Sequence, residues 1–538
     1  MIDEQFRMEI LDWIANDPDP DSASLLSKWL EEGSENELRK SFNGFLEFGT
    51  AGLRGPVRPG PSGMNRAVVG RTAAGIASYL KSRGLSKVVI GRDARHGSKE
   101  FMQESAEIFS GAGMEVHLLP RELPTPVLAY AVNELGMDCG IMVTASHNPA
   151  IDNGYKVYLG KSIDAITYRG SQIIPPADAQ IAAEIAKIRT LGPRGSSWSI
   201  VGEKLISKYI SQAVAGRTQA KPLRIVYTAL HGVGTETINA TFRAANFASP
   251  ILVTEQAKPD PDFPTVAFPN PEEAGAIDLA IALAKSESAD LVIANDPDAD
   301  RCAVAALTPD GQWRMLRGDE LGTIFGFYIA ANSQKTGQAF ATTIVSSSAL
   351  GKIAAKFGIQ YHQTLTGFKW LSKVENLAYG YEEAIGYCVD PCSVNDKDGI
   401  SAAIKITEIA SSLAAKNSTL FEYLDEIWQS IGYHRTDQLS IRVNDLDLIA
   451  RALSDLRANP WKEIGGKVVT RFQDLLSSET PTNGLRIWCG DEIRIIIRPS
   501  GTEPKLKTYI EVIGVNDEAD ALVENLKTEI RKLFASYS

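Results

Sequence analysis

Cysteine is scarce in this chain, five residues in 538, and no two of them form a C-x-x-C pair. The odd number, with Cys139, Cys302 and Cys489 in apolar segments, points to a reducing compartment such as the cytoplasm. Cys388 and Cys392 stand in a C-x-x-x-C spacing, but no second pair at metal-ligand spacing accompanies them, so the spacing carries no zinc chemistry. No apolar run approaches the ~20 residues of a membrane-spanning helix. Basic blocks are lacking too: 55 Lys and Arg stand against 66 Asp and Glu, a net charge of -11, which argues against a nucleic-acid footprint. An anionic substrate therefore needs a local cluster of Arg and Lys. The opening segment is acidic and amphipathic at helical spacing (Phe6, Ile10, Leu11, Ile14), unlike a secretory or transit leader.

What is present is an ordinary hydrophobic content, 44%, in a chain too long for one core; the length predicts about three to five domains. The first forty residues read as two helices, the second carrying Leu25, Leu26, Trp29 and Leu30. After a Gly/Pro-rich loop, short buried strands ("KVVIGRD", "MEVHLLP", "CGIMVTAS") alternate with helical segments in the βαβ rhythm of a layered sheet. The rhythm restarts at "LRIVYTALHGVG" and again at "AFATTIVSSSALGKIAAKFG". The last hundred residues differ: strands at "DQLSIRV", "GLRIWCGDEIRIIIRPS" and "KTYIEVIGV" and a closing helix predict a smaller α+β domain.

Polar motifs cluster where the strands end. In "MVTASHNPAIDNGYKVY", Ser146 follows a buried run and is lifted into a loop by Asn148-Pro149, a placement that suits a nucleophile or phosphate carrier, and equally a helix cap or turn. The surrounding residues lack the G-x-S-x-G elbow of a serine hydrolase. In "ADLVIANDPDADRCAVA", Asp296, Asp298 and Asp300 alternate after a buried strand; three carboxylates so close repel unless a cation such as Mg2+ or Ca2+ neutralises them, or else they form a solvated acidic turn. An EF-hand is excluded, because Arg301 takes the place of the turn glycine and Leu307 that of the bidentate glutamate. In "RIIIRPSGTEPKLKTYIEV", Arg498, Ser500, Gly501, Thr502 and Lys505 offer hydroxyls, cations and backbone N–H groups suited to a phosphate, in what is also simply a good turn sequence. Three more loops join the set: "FGTAGLRGP" with Arg54, "TLTGFKW" with Thr366, Gly367 and Lys369, and "YGYEEAIGY" with Glu382 and Glu383 at a strand-to-loop transition. Of the six histidines, only His147 lies within a motif.

Together, "TASHNP", "DPDADR", "EEAIG" and "RPSGTEPK" resemble, in order, the four loops of the α-D-phosphohexomutase superfamily, the phosphoglucomutases and phosphomannomutases, over roughly residues 45 to 515. The resemblance implies an α/β architecture of three similar mixed α/β domains plus a smaller C-terminal α+β domain around a central active-site cleft, divided at 1–205, 206–318, 319–432 and 433–538. It implies that Ser146 is a phosphoserine and that Asp296, Asp298 and Asp300 hold Mg2+ together with an oxygen of that phosphoserine, with Arg301 beside them. It further implies that Glu382 grips the sugar hydroxyls and that Arg498, Ser500, Gly501 and Thr502 hold the nonreacting phosphate, with Glu383, Thr366, Gly367, Lys369 and Lys505 as further substrate-binding residues. Arg54, His147 and Lys156 align with polar residues around the phosphoserine, where Arg54 and Lys156 assist proton transfer or bind anionic oxygens. The activity implied is interconversion of hexose 1- and 6-phosphates, with a sugar 1,6-bisphosphate as activator, by a cytoplasmic monomer or homodimer. The long N-terminal helices look most like the phosphopentomutase-like and glucose-1,6-bisphosphate synthase-like branch.

The chain departs from the family pattern in the sugar loop, where Ala384 stands at the usual serine and Tyr387 where some members have histidine. Sugar selectivity, and the identity of an acid or base there, therefore stay open, as does a phosphopentomutase or bisphosphate-forming activity. A noncatalytic sugar-phosphate binding protein is disfavoured because Ser146 and all three aspartates are kept.

Overall fold

The structure, a computed structural model, describes residues 2–333, 336–443, 446–500, 505–514 and 516–537. Two compact units result, Met1–Leu316 with Phe368–Asn417, and Arg317–Gly367 with Ser418–Ser538. No helix among the described residues is long and apolar enough to cross a membrane.

The first unit opens with three helices, Glu4–Asn16, Pro20–Glu32 and Glu35–Ser41, where the hydrophobic pattern predicts two. Gly33 ends the second helix in the left-handed conformation (φ 68°), and the third begins two residues later. Such a break is too short to register as a loop in the pattern. Ile10, Leu26, Leu30 and Leu38 bury against Trp13 and Phe42, each fully buried aliphatic side chain being worth about 1.5–3 kcal/mol.

A seven-stranded sheet follows. Its principal path runs Leu53–Pro56, Asp152–Leu159, Cys139–Val143, Lys87–Arg92, Glu115–Leu118 and Ser199–Ile200. The strands Lys87–Arg92, Glu115–Leu118 and Cys139–Val143 pair in parallel, and the Val/Ile/Met runs of Lys87–Arg92 and Cys139–Val143 are buried on both faces, as central parallel strands sandwiched by helices must be. Asp152–Leu159 returns antiparallel beside Cys139–Val143, so the connecting segment 144–151 lies at the carboxyl end of that strand. The helix Arg66–Lys81 is capped by Asn65, whose side chain accepts from Val68 N at 3.0 Å.

A second sheet of five strands runs Ile251–Leu252, Ile225–Thr228, Leu291–Ala294, Ala303–Leu307 and Trp313–Met315. Leu291–Ala294 is parallel to Ile225–Thr228 and antiparallel to Ala303–Leu307. The intervening turn carries the aspartates. The hairpin of Leu377–Glu382 and Gly386–Cys388, with the helix Gly399–Ala414, completes this unit.

In the second unit, Ala339–Thr343 and Gln360–Thr364 pair in parallel. A five-stranded antiparallel sheet follows, ordered Tyr433–Arg442, Lys505–Gly514, Ile493–Pro499, Leu485–Cys489 and Arg471–Asp474. Leu485, Ile487, Ile493, Ile495, Ile497 and Ile510 alternate onto one face and pack against Leu453, Leu456, Val523, Leu526 and Ile530. The closing helix, Asn516–Leu533, is where the pattern places it; the helix Leu446–Ala458 and the edge strand Arg471–Asp474 are additional.

Candidate active site

Ser146, the three aspartates and Glu382 lie at strand ends, where ligands bind in open α/β sheets, while Arg54 and Lys156 stand within strands and Lys369 in a short helix. Ser146 follows the strand Cys139–Val143 and holds φ 53°, a left-handed conformation unusual for a residue with a side chain. Its N–H donates to Thr144 Oγ1 at 2.9 Å, which pins the turn. Its hydroxyl donates to Asp296 Oδ2 at 2.7 Å, and His147 Nδ1 lies 3.2 Å from the same oxygen.

Asp296, Asp298 and Asp300 are buried at 0%, 0% and 1% exposure, which rules out a solvated acidic turn. Their carboxylate oxygens come within 4.8 Å of one another. Ala299 between them takes φ 54°, turning the chain so that the side chains converge. Lys156 Nζ reaches Asp298 Oδ2 at 2.7 Å and Asp300 Oδ2 at 2.9 Å, and Thr125 Oγ1 donates to Asp298 Oδ2 at 2.5 Å. The Arg301 N–H donates to Asp296 Oδ1 at 3.1 Å, and its guanidinium lies 4.0 Å from Oδ2.

Electrostatics follow from this crowding. Burial, then the charges of Asp298 and Asp300, push the Asp296 carboxyl well above its ordinary value. Burial also acts on Asp300, but Lys156, Lys397 and Arg301 outweigh it and hold the carboxyl well down. Burial, helped by the nearby Arg301 and Arg54 charges, keeps His147 far below the usual histidine value, so the imidazole is neutral at pH 7. Oδ1 of Asp298 and Oδ1 of Asp300 are buried without a hydrogen-bond partner among the described residues. Unpartnered buried carboxylate oxygens are costly, and a set of hard oxygens this close fits a divalent cation.

Arg54, on the strand Leu53–Pro56, donates to Asn148 Oδ1 at 3.0 Å and so stands beside the serine loop. Glu382 ends its strand and faces Lys397 at 3.8 Å; burial raises its carboxyl above the ordinary value, against the pull of Lys397 and Arg301. Glu383 and Ala384 form the following turn, where Ile385 takes φ 52°. Lys369, in the short helix Phe368–Leu371, donates to Thr50 Oγ1.

Within the second unit, Thr366 and Gly367 follow the strand Gln360–Thr364, Gly367 at φ 104°. Arg498 Nη1 donates to Tyr509 Oη at 3.3 Å, and Ser500 N donates to the Lys505 carbonyl at 2.8 Å, which closes the base of the phosphate-type turn. Gly501 and Thr502 lie outside the described residues.

Two functional candidates escaped the sequence reading. Lys397, 7% exposed, lies 3.6 Å from Asp300 and 3.8 Å from Glu382, joining the acidic loop to the sugar-type loop. Arg95, 4% exposed, bonds the serine loop from below. A signal existed for both: "DAR" directly follows the buried strand Lys87–Arg92, and Lys397 stands in an "NDKD" run before an apolar helix.

A strand-end hydroxyl set against a buried carboxylate triad and ringed by cations is the layout of a phosphoryl-transfer enzyme. The sequence matches the four models of the phosphoglucomutase/phosphomannomutase family in order: alpha/beta/alpha domain I at residues 46–191, domain II at 206–308, domain III at 317–431 and the C-terminal domain at 441–532. A Haemophilus influenzae protein named "Probable phosphomannomutase" is 44% identical over 480 residues, spanning 88% of this chain and 98% of its own. The phosphopentomutase of Mus musculus is 34% identical over 595 residues, 99% of this chain and 94% of its own. Among solved structures, a phosphoglucomutase/phosphomannomutase family protein from Burkholderia thailandensis shares the fold at a TM-score of 0.70 and 20% identity, covering 90% of this chain and 97% of that one. The chain belongs to the phosphoglucomutase/phosphomannomutase family and is a four-domain α/β enzyme of phosphoryl transfer within a sugar.

Proposed function

We propose that this enzyme interconverts hexose 1-phosphates and 6-phosphates, with glucose and mannose phosphates as substrates, through a phosphoserine at Ser146 and a 1,6-bisphosphate intermediate. The observation that carries this reading is the Ser146 hydroxyl, 2.7 Å from Asp296 in the buried triad. Phosphoserine gives its phosphoryl group to the free hydroxyl of the sugar monophosphate: the P–Oγ bond breaks with its electron pair staying on Oγ, which takes up a proton to become the serine hydroxyl, the P–O bond to the sugar forms, and the sugar hydroxyl proton leaves to a neighbouring base. The bisphosphate turns over, and Ser146 takes back the phosphoryl group from the other end. Such transfer needs positioning and charge neutralisation above all.

Asp296, Asp298, Asp300 and an oxygen of phosphorylated Ser146 would hold Mg2+, which when bound would stabilise negative charge on the transferring phosphoryl group. Arg54, His147 and Lys156 are assigned to the reacting oxygens. Glu382, Glu383, Thr366, Gly367 and Lys369 are assigned to the sugar, and Arg498, Ser500, Gly501, Thr502 and Lys505 to the nonreacting phosphate. The four-part division at 1–205, 206–318, 319–432 and 433–538 belongs to the same proposal. A sugar 1,6-bisphosphate primes the enzyme by loading Ser146.

A pentose phosphate activity is the second reading, favoured by the near-full-length similarity to a phosphopentomutase and by Ala384, which offers no hydroxyl in the sugar-type loop. Assay of glucose, mannose, ribose and deoxyribose 1-phosphates, with and without a bisphosphate primer, separates the two. Bisphosphate-dependent turnover of the hexose phosphates above the pentoses is the expected result; turnover of the pentoses alone overturns the hexose assignment.

A further inference from the structure

The serine loop is gathered by a single buried side chain. Arg95 Nη2 donates to the carbonyls of Ser146 and Asn148, both at 2.6 Å, and Nη1 donates to those of Pro149 at 2.8 Å and Asp152 at 3.0 Å. Four carbonyls across seven residues thus converge on one planar fork. Arg95 is itself fixed: its N–H donates to Asp93 Oδ1 at 3.0 Å, its Nε lies 3.5 Å from Asp93 Oδ2, and Ser98 Oγ holds that carboxylate at 2.6 Å.

The same guanidinium lies over the Phe263 ring, 4.8 Å from its centre, and Phe263 belongs to the module that carries the aspartates. Phe263 packs edge-on against His231, with ring centroids 6.5 Å apart. The next residue, Gly232, approaches Pro297 so closely that a Cβ there would meet the Pro297 Cα at 2.3 Å, and Val233 N donates to the Pro297 carbonyl at 2.8 Å. Pro297 sits between Asp296 and Asp298. A continuous packed path therefore joins the Ser146 carbonyl to the aspartate turn, by way of Arg95, Phe263 and the His231–Val233 turn.

We infer that Arg95 is a positioning residue: by binding the Ser146 carbonyl in its left-handed conformation and seating on Phe263, it sets the Ser146 Oγ against Asp296. This rests on the reading of Ser146 as phosphoryl carrier. A left-handed conformation is strained for a non-glycine residue and relaxes unless its surroundings hold it. Lysine keeps the charge, but its tetrahedral ammonium cannot reproduce the planar fork on four carbonyls. A shift of Oγ by ~1 Å slows phosphoryl transfer by roughly a hundred-fold without removing a contact to the sugar.

The test compares full-length wild type, Arg95→Lys and Phe263→Leu, with folding checked by near-ultraviolet circular dichroism and thermal unfolding. Each is mixed with glucose 1,6-bisphosphate and the rate of phosphoryl uptake on Ser146 is followed by intact mass; kcat and KM for glucose 1-phosphate are measured alongside. Folded Arg95→Lys should load Ser146 and turn over roughly a hundred-fold more slowly, with KM held within about three-fold. Phe263→Leu keeps every hydrogen bond of Arg95 and should show a smaller fall in the same direction; it decides the matter should Arg95→Lys not fold. Uptake at the wild-type rate in folded Arg95→Lys, or in Phe263→Leu as the deciding variant, or a raised KM at unchanged kcat, overturns the positioning role alone. A wild-type protein that takes up no phosphoryl group overturns the reading of Ser146, and this inference with it.

Discussion

Ser146 and Asp296 stand 150 residues apart in sequence, and the hydroxyl of one donates to the carboxylate of the other at 2.7 Å. The contact joins the end of the strand Cys139–Val143 to the end of the strand Leu291–Ala294, and so places a hydroxyl against a triad whose remaining oxygens are buried and partly unpartnered. Removal of the Asp298 carboxylate should undo the cation site and cost Lys156 one of its two carboxylate partners, leaving Asp300. Asp298→Ala is therefore expected to lose roughly a thousand-fold or more in kcat, since a cation at the phosphoryl group is worth several kcal/mol. Steady-state assays with and without a chelator check this; chelator-insensitive turnover contradicts it.

Arg498, assigned to the nonreacting phosphate, should serve both orientations of the bisphosphate. Arg498→Ala should lower kcat/KM for 1- and 6-phosphates alike, by roughly ten- to a hundred-fold, as expected for a charged hydrogen bond worth about 1.5–3 kcal/mol. Unchanged efficiency for both substrates would make the turn purely structural.

Ala384 lies in the turn between the strands Leu377–Glu382 and Gly386–Cys388, beside Glu382. Without a hydroxyl at this position, selectivity among sugars should be loose, with glucose and mannose phosphates used within about two orders of magnitude of each other. Ala384→Ser should shift their ratio by about two- to ten-fold and leave loading of Ser146 unchanged. A native preference above about ten-thousand-fold contradicts this reading of the loop.

In the second unit, Glu511 is fully enclosed and accepts from Ser347 Oγ at 2.7 Å and His434 Nδ1 at 3.0 Å, with Arg494 at 2.8 Å. Burial opposes its charge, but Arg494, His434 and Ser347 outweigh it and hold the carboxyl well below the ordinary range. A depressed carboxylate contributes stability that is full above the unfolded-state value near 4.3 and lost as pH falls toward the folded one. Glu511→Gln leaves Arg494 uncompensated and should cost about 3–5 kcal/mol at pH 7. The difference from wild type should shrink below pH 4 in denaturant unfolding; a difference independent of pH contradicts the charge pairing.

The parts of the site that were legible in the sequence are those whose chemistry sits at the end of an apolar run. Ser146 and the three aspartates each follow a buried strand and Glu382 ends one, and the fold needs no long-range information to place them at those strand ends. Arg95 and Lys397 were not legible in the same way, because their partners are backbone carbonyls and carboxylates remote in sequence. An arginine in "GRDARHGS" looks like a loop cation until the chain closes over it. The two-helix reading of the first forty residues missed a break made by one left-handed glycine, and the α+β reading of the C-terminal part missed the helix Leu446–Ala458.

Intact-mass measurement of the wild-type enzyme and Ser146→Ala, after incubation with glucose 1,6-bisphosphate and Mg2+, tests the central claim most directly. The wild type should gain the mass of one phosphoryl group and then lose it on addition of a hexose monophosphate, while folded Ser146→Ala gains none and has no mutase activity. A wild type that never gains the phosphoryl group, or a Ser146→Ala variant that gains it or turns over at the wild-type rate, contradicts the account.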